Sequence, residues 1–208
     1  MSQSVLRIQI SEIFKISEIS ALIISMKASN RNLEVEELKK AIWSDDWETA
    51  IASSERLAEI GGDDVVDFLI GLLDSEDSMV RDMASLALRK LADNRAIEPL
   101  LKSIFKPENS NRNGTMVYAL QTLDCKDILV DLFKILFWYN FEPCNLAYII
   151  LNEQIFEFTR DDLFEIKRMW IECSQNPEKY PGFQSERMKL MIQDAYEGYI
   201  AYLDADDE

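Results

Sequence analysis

Ala87-Leu88-Arg89-Lys90-Leu91-Ala92-Asp93 reads as the end of one helix and the turn into another, and the same stretch recurs along the chain. Thirty-one residues earlier stands Arg56-Leu57-Ala58-Glu59-Ile60-Gly61-Gly62, and thirty-two later Ala119-Leu120-Gln121-Thr122-Leu123-Asp124-Cys125. The apolar positions that follow keep those offsets. Val66, Leu69, Ile70 and Leu73 match Ile97, Leu100, Leu101 and Ile104, then Leu129, Leu132, Phe133 and Leu136. A period just over thirty residues, with two apolar stripes per unit, predicts an all-α solenoid of stacked helix pairs with a right-handed superhelix. No unit in such a stack buries its apolar faces alone.

The rest of the composition narrows the function classes. The 208 residues are 48% apolar with only 6 Gly and 5 Pro, which predicts an ordered globular chain. No apolar run approaches the ~20 residues of a membrane span. The start lacks the basic region, apolar run and small-residue cleavage site of a secretory signal, so a soluble, cytoplasmic protein is expected. Cys125, Cys144 and Cys173 share no close spacing and read as reduced, buried thiols. The chain has no histidine, which excludes Ser-His-Asp and Cys-His catalysis and every histidine-bearing metal site.

The net charge of −16 is unevenly distributed. Residues 34–77 carry 14 acids against 3 bases, or −11, and residues 190–208 carry 6 acids and no base. Residues 1–33 sum to +2, while 78–189 nearly balance at 15 bases against 16 acids. A strongly acidic balance opposes phosphate binding and argues against nucleic acid as the partner.

Along the chain, Leu6, Ile8 and Ile10 alternate with polar residues and suit a short strand, whereas Ile13, Ile16, Ile19, Ile23 and Met26 keep helical spacing. The first ten residues stay open between the two, and a helix is expected near 11–28. Ser29-Asn30-Arg31-Asn32 is expected to break it, before helices near 34–43 and 46–60. Trp43 and Trp47 fall at i, i+4, on one helix face. Gly61-Gly62 ends the second of these, and Asp63 or Gly62 caps the next. The expectation is one domain over 1–208, with repeats clearest at 46–76, 77–106 and 113–138 and weaker at 141–174. A capping helix near 184–203 closes the stack. Pro107–Gly114 is the one long polar loop, either a tolerated insertion or a binding edge.

Asp77-x-x-Val80-Arg81-x-x-Ala84-x-x-Ala87-Leu88-x-x-Leu91-x-Asp93-x-x-Ala96-Ile97-x-Pro99-Leu100-Leu101 resembles the HEAT repeat, in the short bacterial variety akin to phycobilisome-lyase repeats. The resemblance implies that Asp77 and Arg81 sit where that family forms a ladder between neighbouring units. It also implies that the second helix of each pair lines the inner face. Outward positions there should include Asp64, Asp67, Glu98, Lys102, Asp127 and Lys134.

Asp63, Asp64 and Asp67 fall within about one helical turn. Such a group could hold a cation or act as an acid/base pair, but it equally caps a helix and favours its positive end, at ~0.3–1 kcal/mol each. Asp127 and Asp161-Asp162 repeat the placement in other units, which favours capping over metal chemistry. The same acids can also steer a cationic partner. Aromatic residues concentrate late in the chain. Trp138 is a candidate contact, and Tyr196, Tyr199 and Tyr202 form a stripe that suits cap packing and recognition equally.

These readings converge on a non-enzymatic module that binds a basic protein through Asp63, Asp64, Asp67, Glu98, Asp127, Trp138, Tyr196 and Tyr199. No cofactor, metal, nucleic acid or membrane is expected. Small acidic proteins of this build are similar to bacterial immunity proteins that block basic nuclease toxins, which makes a toxin domain the most concrete partner. The alternative is a scaffold with a neutral partner, using the aromatic half. HEAT-like DNA glycosylases resemble the fold but use a basic groove, and HEAT-like hydroxylases need histidine.

Overall fold

The computed structural model describes residues 3–205. It is all-α, with ten α-helices and no strand among the described residues. The chain divides into two compact units, 1–60 and 61–208.

The first unit holds α1 (Gln3–Ala41) and α2 (Trp47–Ile60), packed as a pair. The expected break at 29–32 does not occur, and of the first ten residues, left open between strand and helix, the described ones from Gln3 on belong to α1. Ser, Asn and Arg lower helix propensity by only tenths of a kcal/mol, and no Gly or Pro stands there to stop the helix. The chain instead turns at 42–46, where Asp46 accepts the backbone N–H of Thr49 at 3.1 Å. Trp43 lies in that turn and Trp47 begins α2, so no single helix face carries both, and each is about half exposed.

The second unit begins at Gly61 and Gly62, whose φ of 62° and 98° lie in the region only glycine adopts freely. Gly62 is the N-cap of α3 (Asp63–Leu72). Next comes α4 (Ser78–Leu91), where Asp77 accepts the N–H of Met79 at 2.8 Å and Val80, Ala84, Ala87 and Leu88 make the buried stripe. It ends on Ala92 in the left-handed conformation, with Arg89 and Lys90 in the last turn suiting the negative end of the dipole. The stack continues with α5 (Ile97–Ile104), α6 (Gly114–Leu120), α7 (Leu129–Trp138), α8 (Phe141–Glu153) and α9 (Arg160–Gln175). First helices pack in sequence, α4 on α6 and α6 on α8, while α7 packs on both α8 and α9. Thr159 and Asp162 form a reciprocal capping box that starts α9. The last helix, α10 (Glu186–Ala205), lies against α8 and α9 and buries Met188, Ile192, Ala195 and Leu203. That is the placement expected of a cap.

The ladder implied for Asp77 and Arg81 does not form. Asp77 is occupied as a helix cap, and Arg81 is 6% exposed with no ion pair among the described residues. Its Nη1 donates instead to the carbonyls of Ser75 (2.7 Å) and Glu76 (2.9 Å), tying α4 to the turn before it. One repeat later, Asn109 and Asn113 stand at the matching positions, both buried. Asn109 Nδ2 donates to Ser103 O at 2.8 Å and Asn113 Nδ2 to Ile104 O at 3.4 Å. The polar loop at 107–114 is therefore structural at Asn109 and Asn113. They supply the donors that the last carbonyls of α5 lack.

Candidate functional site

Of the acids singled out by sequence, Asp63, Asp64 and Asp67 lie in α3 and Glu98 in α5, whereas Asp127 stands in the turn before α7. Asp63, Asp64, Asp67, Glu98 and Asp127 are all exposed, as is Lys102. They are not a bare acidic surface. Arg95 reaches across from the turn before α5 to Asp63 (2.9 Å) and Asp67 (3.3 Å), and also pairs with Asp93 at 2.8 Å. Asp63 and Asp67 are therefore paired rather than bare. The repeat brings a base to the same edge one unit later, so three carboxylates share one guanidinium and a negative excess remains. Asp64 also has an interaction of its own.

The pattern recurs along the stack. Lys106 meets Asp74 at 2.6 Å and Lys102 meets it at 3.6 Å, Lys126 meets Glu157 at 2.9 Å, and Lys134 meets Glu165 at 3.7 Å. Each partner lies about one repeat away, so these pairs fix neighbouring units to each other. Exposed pairs contribute only ~0.2–1 kcal/mol each, less at high salt. Glu98, on α5, makes no ion pair among the described residues.

Hydrogen bonds from Lys106 hold the Asp74 carboxyl below its ordinary range, and those from Arg95 do the same for Asp93. A carboxyl depressed in the folded state stabilises the fold above its unfolded value near 4, and that contribution is lost as pH falls through the folded value. Burial acts oppositely on half-buried Asp82, pushing its carboxyl up. Chemical denaturation at pH 6, 4 and 2.5 should show stability level between the first two and falling at the third. R95Q and K106Q variants should lose less on acidification than the parent chain.

Two of the aromatic candidates, Tyr196 and Tyr199, are engaged in packing. Tyr199 sits among Phe133 (5.5 Å), Phe158 (5.8 Å) and Phe156 (6.1 Å), and its hydroxyl donates to Leu151 O at 3.0 Å. Burial pushes that phenol up to about 12. Tyr196 stacks on Trp170 at 4.4 Å and 10°. Both tyrosines belong to the cap: Tyr196 covers α9, whereas Tyr199 packs on α7, on α8 and on the segment before α9. Both are half-buried, with their rings engaged in packing. Trp138 leans edge-on against Phe105 at 6.3 Å and keeps about two-fifths of its surface exposed. The site expected as one set is therefore divided: Asp63, Asp67 and Glu98 lie on neighbouring second helices, whereas Tyr196 and Tyr199 belong to the cap.

The cysteines are buried, and burial pushes each thiol up to about 12, away from thiolate reactivity. Among the described residues no group of three or more Cys, Asp and Glu converges as metal ligands. No helix among them is long and apolar enough to cross a membrane.

Compared with known families, residues 35–121 match the model of HEAT repeats. That stretch is a HEAT-repeat region, built of the helix pairs described above, and the same pairing continues beyond it through α7, α8 and α9. No curated protein matches the chain.

Proposed function

We propose that the chain is a non-catalytic protein-binding module whose second-helix face, at α3 and α5, engages a basic protein. The observation that carries this reading is the cluster in which Arg95 alone serves Asp63, Asp67 and Asp93, beside an unmatched Glu98. A surface with excess carboxylate accelerates encounter with a cationic partner and weakens as salt rises. In its most concrete form the partner is a basic nuclease toxin of a bacterium, whose nucleic-acid groove the acids would cover in place of phosphates. The alternative, a scaffold with a neutral partner, would use the aromatic residues that stay exposed, Trp138 and Tyr202, rather than Tyr196 and Tyr199.

The test begins with affinity capture from the native host and mass spectrometry. The affinity of the purified pair is then measured between 50 and about 500 mM salt. Binding should weaken steadily with salt, and D63K/D67K should lose at least about tenfold in affinity. An affinity indifferent to both changes rules the reading out.

A further inference from the structure

Gly71 lies one residue before the end of α3, in ordinary helical backbone, and a Cβ built on it would meet nothing within 4 Å. Neither a positive φ nor a close neighbour requires glycine here. Inside a helix that residue costs ~0.5–1 kcal/mol relative to alanine. What the missing side chain leaves is space. A cleft of about 480 Å³ opens over Gly71, floored by Ile70, Leu73 and Pro99 and rimmed by Asp74, Glu98 and Lys102. Side-chain sites of this kind combine an apolar floor with a few convergent polar groups.

The rim identifies the chemistry. Asp74 is already satisfied by Lys106 and Lys102, which draws the Lys102 ammonium towards that side. Glu98 is the rim carboxylate with no ion pair among the described residues. A long side chain with an aliphatic stem and a charged head fits both parts, because its stem covers the apolar floor while its head reaches a carboxylate. A guanidinium adds the planar, bidentate geometry that a carboxylate matches best.

We propose that the cleft between α3 and α5 seats an arginine side chain of the partner, paired to Glu98. This rests on the basic-partner reading and specifies its anchor.

The test uses blocked pentapeptides, Gly-Gly-Arg-Gly-Gly and its Leu and Glu counterparts, titrated into the ¹⁵N-labelled full-length chain. The amide of Leu73, which lines the cleft and is unchanged in every variant, is followed. The arginine peptide should shift that signal saturably, with the other two at least tenfold weaker. G71L fills the cleft and should abolish the shift, and E98Q should weaken it about tenfold. G198A is the control, since Gly198 of α10 likewise has open space at its Cβ position. It should bind as the parent does, and neither glycine replacement should lower the melting temperature. Equal shifts from all three peptides, or undiminished binding by G71L, would overturn the assignment. If G71L keeps the peptide while D63K/D67K loses the captured protein, the cleft assignment falls and the acidic-face reading stands. A captured protein indifferent to salt and to D63K/D67K removes both.

Discussion

Replacing Phe137 by alanine should lower the unfolding free energy by about 3–5 kcal/mol, the range for emptying a buried aromatic site. Phe137 has no exposed surface, and its ring lies 5.5 Å from Phe133, 6.0 Å from Phe183 and 6.2 Å from Trp170. It thus touches its own helix, α9 and the segment leading into α10 together, so the cavity cannot close by a shift of one element. Whole domains are stable by only about 5–15 kcal/mol, so the loss should move the urea midpoint far with little change in slope. Phe137→Leu keeps most of the volume and should lose considerably less. A loss below about 1 kcal/mol for the alanine variant would mean that this ring does not join the cap to the stack.

Arg81→Ala should cost about 2–4 kcal/mol. Two hydrogen bonds from a charged, buried donor to the Ser75 and Glu76 carbonyls disappear, and water can replace them only in part. Loss of the packed aliphatic stem adds to this. Against it stands relief of the desolvation borne by a guanidinium without a carboxylate partner, which keeps the total moderate. Arg81→Met separates the contributions, since it retains the stem and removes the charge. It should fall between the parent and the alanine variant in urea unfolding. A methionine variant as stable as the parent would show that the carbonyl bonds contribute nothing net.

The repeat was legible because an apolar residue at a fixed offset is a direct consequence of stacking. Leu69, Leu100 and Leu132 occupy matching positions, and all three are fully buried. The unbroken α1 was not, because Ser29 to Asn32 are weak breakers that a continuing helix tolerates. Arg95 was missed although its signal was present: it stands thirty-two residues after Asp63, the same interval that reveals the repeat. Periodicity was read there only for apolar residues, while ion pairs between units obey it equally. Arg81 was misjudged for a different reason. Its position matched a family pattern, but the acid it was expected to face serves as a helix cap. The places of Tyr196 and Tyr199 depend on which sides of α10 meet α9 and the α7–α8 pair, and a tyrosine stripe is compatible with either side.

Bases and acids linked from one unit to the next hold the carboxylates of α3 and α5 at set intervals. For the basic partner proposed above, such a ruler would favour a folded visitor whose own cations already match the marks. A floppy polycation would have to surrender chain entropy to line up with them, and would be held less firmly for the same number of charges.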